Sequence, residues 1–114
     1  MEECLFCRIV KKEVGSEIVA ENANAIAIRD INPQAPVHIL VLPKEHIASL
    51  KDITIDKCDV ITDIFMLINE LTVSEGIVQT GFRIVINQGE DGGQEVDHLH
   101  FHLLGGRFMR WPPG

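Results

Sequence analysis

The stretch that most restricts how this chain can fold is His98-Leu99-His100-Phe101-His102-Leu103-Leu104. Polar and apolar residues alternate with a period of two, the period of an extended strand and of no helix. On such a strand the imidazoles of His98, His100 and His102 project from one face, with Leu99 and Phe101 on the other. A neutral imidazole has one donor and one acceptor nitrogen, so a row of them can hold one ring in the tautomer that presents a bare nucleophilic nitrogen. Taken alone, the row is equally consistent with a metal platform or a polar sheet face.

The rest of the chain supplies partners for that strand. Residues 5 to 12 fit a short helix, and 18 to 21 with 25 to 30 alternate like a hairpin turned at 22 to 24. Pro33 and Pro36 force a loop before a strand from Val37 to Leu42, which Pro43 closes. Ile61, Ile64, Phe65, Ile68 and Leu71 recur at helical steps, predicting one long helix over 56 to 75 that stops at Gly76. Residues 82 to 87 and 96 to 104 then form antiparallel strands around the turn from Gly89 to Gly93. Five strands with one long and one short helix predict an α+β fold on an antiparallel sheet, a single domain spanning 1 to 114. The tail from Gly106 ends in Trp111-Pro112-Pro113-Gly114, which fits neither helix nor central strand.

Composition narrows the function. A formal charge of -7 argues against a nucleic-acid surface, which needs clustered Lys and Arg. No apolar run approaches the roughly 18 residues that cross a bilayer, so no membrane partner is expected. Glu2 and Glu3 stand where a secretory leader would be basic, so a cytoplasmic location is expected. Among 3 cysteines, Cys4 and Cys7 form a CxxC, a spacing that lets two thiolates reach one metal ion. Cys58 has no such pattern and reads as a packing residue. Gly92 and Gly93 let the chain bend closely ahead of the histidine row, where the amides of Gln94 and Glu95 can face an anion.

Gln94 through Leu104, with its three alternating histidines, resembles the motif of the histidine triad family. Asp30 through His38 resembles the family's nucleoside-binding segment, and Gly105-Gly106-Arg107 through Trp111-Pro112-Pro113-Gly114 the ending of its phosphoramidase branch, the histidine triad nucleotide-binding proteins. The resemblance covers nearly the whole chain. It implies a purine nucleoside phosphoramidase that releases a nucleoside monophosphate and an amine, with His100 as the nucleophile carrying the nucleotidyl group. It places His102, Asn87, Gly93 and the amides of Gln94 and Glu95 on the phosphate, His98 and His38 in orienting roles, and Asp30 on the ribose hydroxyls. Leu5, Phe6, Ile9, Ile28, Ile31 and Leu40 would line an apolar slot for the base.

No metal is implied for the chemistry. A structural zinc is implied on Cys4, Cys7, His46 and His98, as in some members of the superfamily. A homodimer is implied too, its sheet continued across the two-fold axis, with Arg107 and Arg110 of the tail bringing positive charge to the leaving-group side. Glu95 departs from the Ser or Thr of several relatives, which unsettles leaving-group protonation. Asp97 replaces a common aromatic residue and should point away from the histidines. A dinucleoside polyphosphate hydrolase, a noncatalytic nucleotide-binding module and a zinc-only platform are the competing readings.

Overall fold

The structure, a computed structural model, describes residues 4–114; Glu2 and Glu3 lie outside them. Its helices are α1 (Leu5–Val10) and α2 (Cys58–Ser74), and its strands β1 (Ile18–Glu21), β2 (Ala25–Arg29), β3 (Val37–Pro43), β4 (Phe82–Ile86) and β5 (Phe101–Gly105). All pairings are antiparallel, in the order β1-β2-β3-β5-β4. The expected α+β architecture is the observed one. The crossover through α2 carries the chain to the edge at β4, and β5 returns between β4 and β3. Leu40 thereby stands opposite His102, and His38 lies one pleat away on the same face.

Strand alternation divides the core in two. Ala25 and Ala27 of β2, Ile39 and Val41 of β3, and Phe101 and Leu103 of β5 pack with α2, while Ile26, Ile28, Leu40 and Leu42 pack with Phe6 and Ile9 of α1. The alanines are on the side that receives the long helix, where small side chains let it approach the sheet. His100 and His102 consequently emerge on the α1 side, and the phenyl ring of Phe6 meets His100 edge-on at 5.1 Å between centroids.

The short helix ends at Val10 and the long one begins at Cys58, each two residues inside its expected span, and two larger features also differ from expectation. The buried face of α2 is Val60, Ile64, Leu67, Ile68, Leu71 and Thr72, whereas Phe65 is 45% exposed. Ile64, Ile68 and Leu71 belong to both this stripe and the expected one, so periodicity alone does not choose between them. The helix ends as predicted: Gly76 has φ +73, its N–H donates to the Val73 carbonyl, and Ile77 N–H donates to Thr72. The last strand begins at Phe101 instead of Val96. Its ladder with β3 stops at the Val41–Phe101 pair, and Leu99 N–H donates instead to the Ile47 carbonyl at 2.7 Å. His98, in a bend over 96–98, and His100 therefore sit just beyond the sheet. No helix among the described residues is long and apolar enough to cross a membrane.

Candidate active site and metal centre

The hydrogen bonds around the histidines fix their tautomers. His98 Nε2 lies 2.8 Å from the Pro43 carbonyl, which only accepts, so Nε2 carries the proton and Nδ1 is bare. Burial pushes this ring's pKa down to about 4, keeping it neutral at pH 7. His100 donates Nδ1–H to the His98 carbonyl at 2.7 Å, so the neutral ring presents Nε2 as its free lone pair. His38 Nδ1 accepts the Gln34 N–H at 3.0 Å, which places the His38 proton on Nε2. That proton is donated to His102 Nδ1 at 2.9 Å, leaving His102 with Nε2–H.

Burial lowers the pKa of both rings, that of His102 to about 4 with further lowering by its histidine neighbours. The site thus presents a bare nitrogen on His100 beside an N–H on His102, their ring centroids 5.0 Å apart. Asp30, His38 and His102 also offer ligand atoms within 4.8 Å of one another. The proton that Gln34 places on His38 Nε2 makes this trio a donor chain instead of a metal cage.

The second cluster has the opposite character. The thiols of Cys4 and Cys7 and the imidazoles of His46 and His98 offer four ligand atoms within 4.8 Å of one another. Cys7 Sγ is 3.2 Å from His46 Nδ1 and 3.6 Å from His98 Nδ1, and Cys4 Sγ is 3.4 Å from His98 Nδ1. Sulfur and nitrogen ligands on one tetrahedral zinc, at about 2.3 and 2.0 Å, stand about 3.5 Å apart. The donor set therefore fits such an ion, and the bare Nδ1 of His98 is the atom required. Cys4 also caps α1, its sulfur accepting the Cys7 N–H.

The glycine loop is built as its sequence demands, with one correction. Gly93 has φ +73, and a Cβ on Gly92 would stand 2.2 Å from the Gln88 carbonyl oxygen. Asn87 Nδ2 donates to the Gly92 carbonyl, and the Gln94 side chain bridges Ala48, Val96 and Gly89. The Gln94 backbone N–H, expected to face an anion, instead donates to the Gly89 carbonyl at 3.0 Å because the loop closes on itself. Glu95 and Asp97 are both exposed.

Phe6, Ile9, Ile28 and Leu40 gather in one cluster beneath the histidines. Leu5 is half-exposed on the rim, and Ile31 is 98% exposed at the loop tip, outside that cluster. Asp30 Oδ2 is 3.5 Å from His38 Nε2, while its Oδ1 accepts the Asn32 N–H. One carboxylate thereby joins the loop after β2 to the histidine row.

Residues 11–109 match the HIT domain family. The chain belongs to this family. Among its relatives, a purine nucleoside phosphoramidase of Escherichia coli is 39% identical over 106 residues, covering 93% of this chain and 89% of that protein. A 14 kDa zinc-binding protein of Zea mays is 42% identical over 112 residues, 96% of this chain and 87% of its own length. A HIT family hydrolase of Legionella pneumophila has a crystal structure that superposes with a TM-score of 0.95 at 46% identity, covering 98% of this chain and all of that one.

Within this HIT domain the groups that sequence reasoning missed are mostly main-chain: the carbonyls of Pro43 and His98 and the amide of Gln34. No side-chain identity signals them. Arg107, expected to reach toward a partner's pocket, instead donates to the Gln34 carbonyl of its own chain. The tail is also held at home by Arg83, which donates to the carbonyls of Met109 and Arg110. Trp111 nevertheless leaves 80% of its surface exposed.

Proposed function

We propose that the protein is a nucleoside phosphoramidase, hydrolysing a phosphorus–nitrogen bond in purine nucleoside phosphoramidates through a covalent nucleotidyl-His100. The supporting observation is the tautomer arrangement: a bare Nε2 on His100 beside the Nε2–H of His102. In the first step the His100 Nε2 lone pair forms a bond to the α-phosphorus as the bond to the amine breaks, and the amine departs with a proton from solvent. The His98 carbonyl, already accepting Nδ1–H, stabilises the positive charge that the ring acquires. His102 Nε2–H, with Asn87 and the Glu95 amide, meets the negative phosphate oxygens. Water then attacks phosphorus and gives up a proton to solvent, the bond to Nε2 breaks with its electron pair returning to the ring, and the nucleoside monophosphate leaves. Asp30 receives the ribose hydroxyls, and the base lies over Phe6, Ile9, Ile28 and Leu40, with Leu5 and Ile31 at the rim.

Zinc, where bound, holds α1 against the segment carrying His98 and takes no part in the bond changes. The relatives named for phosphoramidase and zinc binding support both assignments. Steady-state turnover of adenosine phosphoramidate beside a diadenosine polyphosphate tests the reading. The phosphoramidate should be the better substrate by about tenfold or more in kcat/KM. Preference for the polyphosphate, or nucleotide binding without turnover of either, would replace this function with one of its competitors.

The active unit in this reading is a homodimer. β4 is an edge strand whose Phe82 and Ile84 are 40% and 36% exposed, and Phe65, Met66 and Val73 of α2 are exposed as well. An open edge with apolar side chains is a surface that a second copy covers by continuing the sheet. Trp111 and Phe108 would then shape the leaving-group side of the partner's site. Analytical ultracentrifugation at micromolar concentration should give a dimer, and Ile84→Asp should shift it to monomer by weakening association about 100-fold or more. A wild-type monomer under these conditions rules the dimer out.

A further inference from the structure

The loop that sets the His38 tautomer is itself clasped from the carboxy-terminal side. Gly106, at φ +92, passes so close to Pro36 that an added Cβ would lie 2.9 Å from the proline Cβ. The next residue, Arg107, donates Nε–H to the Gln34 carbonyl at 2.9 Å and Nη1–H to the Phe108 carbonyl at 3.1 Å. Gln34 is the residue whose N–H meets His38 Nδ1, and its side-chain amide donates to the Asn32 carbonyl at 3.0 Å. One clasp therefore holds the loop between Asp30 and His38 at two consecutive positions of the returning chain.

We propose that Arg107 is a positioning residue: by fixing Gln34 it keeps His38 and, through it, His102 in the Nε2–H tautomer. The two tautomers of a neutral imidazole are close in free energy, so a single amide donor decides between them. If the Gln34 N–H moves away, His38 can carry its proton on Nδ1 and turn a lone pair toward His102 Nδ1. His102 must then protonate Nδ1 to meet it. Its Nε2 becomes a lone pair facing the anionic phosphate, and an attractive contact becomes a repulsive one. The guanidinium suits this task because its Nε–H and Nη1–H point in fixed directions toward two carbonyls.

The functional half of this inference rests on His102 contacting phosphate as proposed above; the tautomer half does not. Long-range nitrogen–proton correlation spectra of the full chain should show His38 and His102 as Nε2–H in wild type. Arg107→Ala should give both rings mixed tautomers. Gly106→Ala, which strains the clasp from its other end, should do the same. For Arg107→Ala, kcat should fall about fivefold with KM within about twofold, a loss confined to the transition state. That loss should vanish in a His38→Gln background, where no tautomer is left to set.

Unchanged His38 nitrogen shifts in folded Arg107→Ala and Gly106→Ala overturn the proposal, as does an Nδ1–H His38 in wild type. Equal kcat losses for Arg107→Ala with and without His38 overturn it too. If the shifts change as expected but wild type hydrolyses no phosphoramidate, the tautomer clasp stands and the phosphoramidase reading falls.

Discussion

Replacing His100 with alanine is expected to lower phosphoramidate turnover by roughly 10⁴-fold or more, while nucleoside monophosphate affinity stays within about tenfold. The separation follows from where the residue acts. In the proposed reading its Nε2 bonds to phosphorus only once reaction begins, whereas ground-state binding would come from the apolar cluster of Phe6, Ile9, Ile28 and Leu40 and from the Asp30 carboxylate beside His38. Rapid acid quenching followed by mass spectrometry should find a nucleotidyl group on wild-type His100 and none on the variant. Turnover of the alanine variant at a substantial fraction of the wild-type rate would exclude a covalent histidine. Asp30→Ala provides the contrast, with a raised KM and a smaller loss in kcat.

The second large effect is expected at the thiol cluster. Protein purified under reducing, metal-replete conditions should contain about one zinc per chain, and Cys4→Ser/Cys7→Ser less than about a tenth. Chelation should release α1 before the sheet, because Phe6 and Ile9 tie the helix to the core while the thiols tie it to His98. Hydrogen exchange should therefore accelerate over residues 4–11 well before β3 or β5. Wild-type protein with less than about a tenth of an equivalent of zinc would leave the cluster as reduced thiols in a hydrogen-bonded set.

Much of this organisation was legible in the residues. The alternation at 98–104 placed Leu99, Phe101 and Leu103 in the core under α2 and the imidazoles on the opposite side, as a period of two requires. Gly76 and Gly93 both adopt the positive φ that their turn positions called for. What escaped was decided by tertiary contact. The start of β5 depends on where β3 stops offering ladder partners, and the buried stripe of α2 on which of two overlapping apolar faces meets the alanines of β2. The Gln94 amide was lost to loop closure, and Ile31 stays exposed where a base would be needed to cover it. At the site, side-chain identity named the histidines, but the direction of each proton came from carbonyls and amides that every residue carries.

The acceptor that orients the proposed nucleophile, His100, is the peptide oxygen at position 98, and this changes how substitutions there should be read. Alanine at 98 removes a ring that serves the Pro43 carbonyl and the thiols, yet it leaves in place the oxygen to which His100 Nδ1–H is directed. A scan of side chains would therefore misattribute to an imidazole what belongs to the backbone. Semisynthesis with an ester in place of the 98–99 amide would weaken that oxygen, together with the loss of the Leu99 N–H that donates to the Ile47 carbonyl, and would leave every side chain in place. An ester carbonyl is a weaker acceptor, so the ring would lose part of the partner that steadies its positive charge, with all three imidazoles still present.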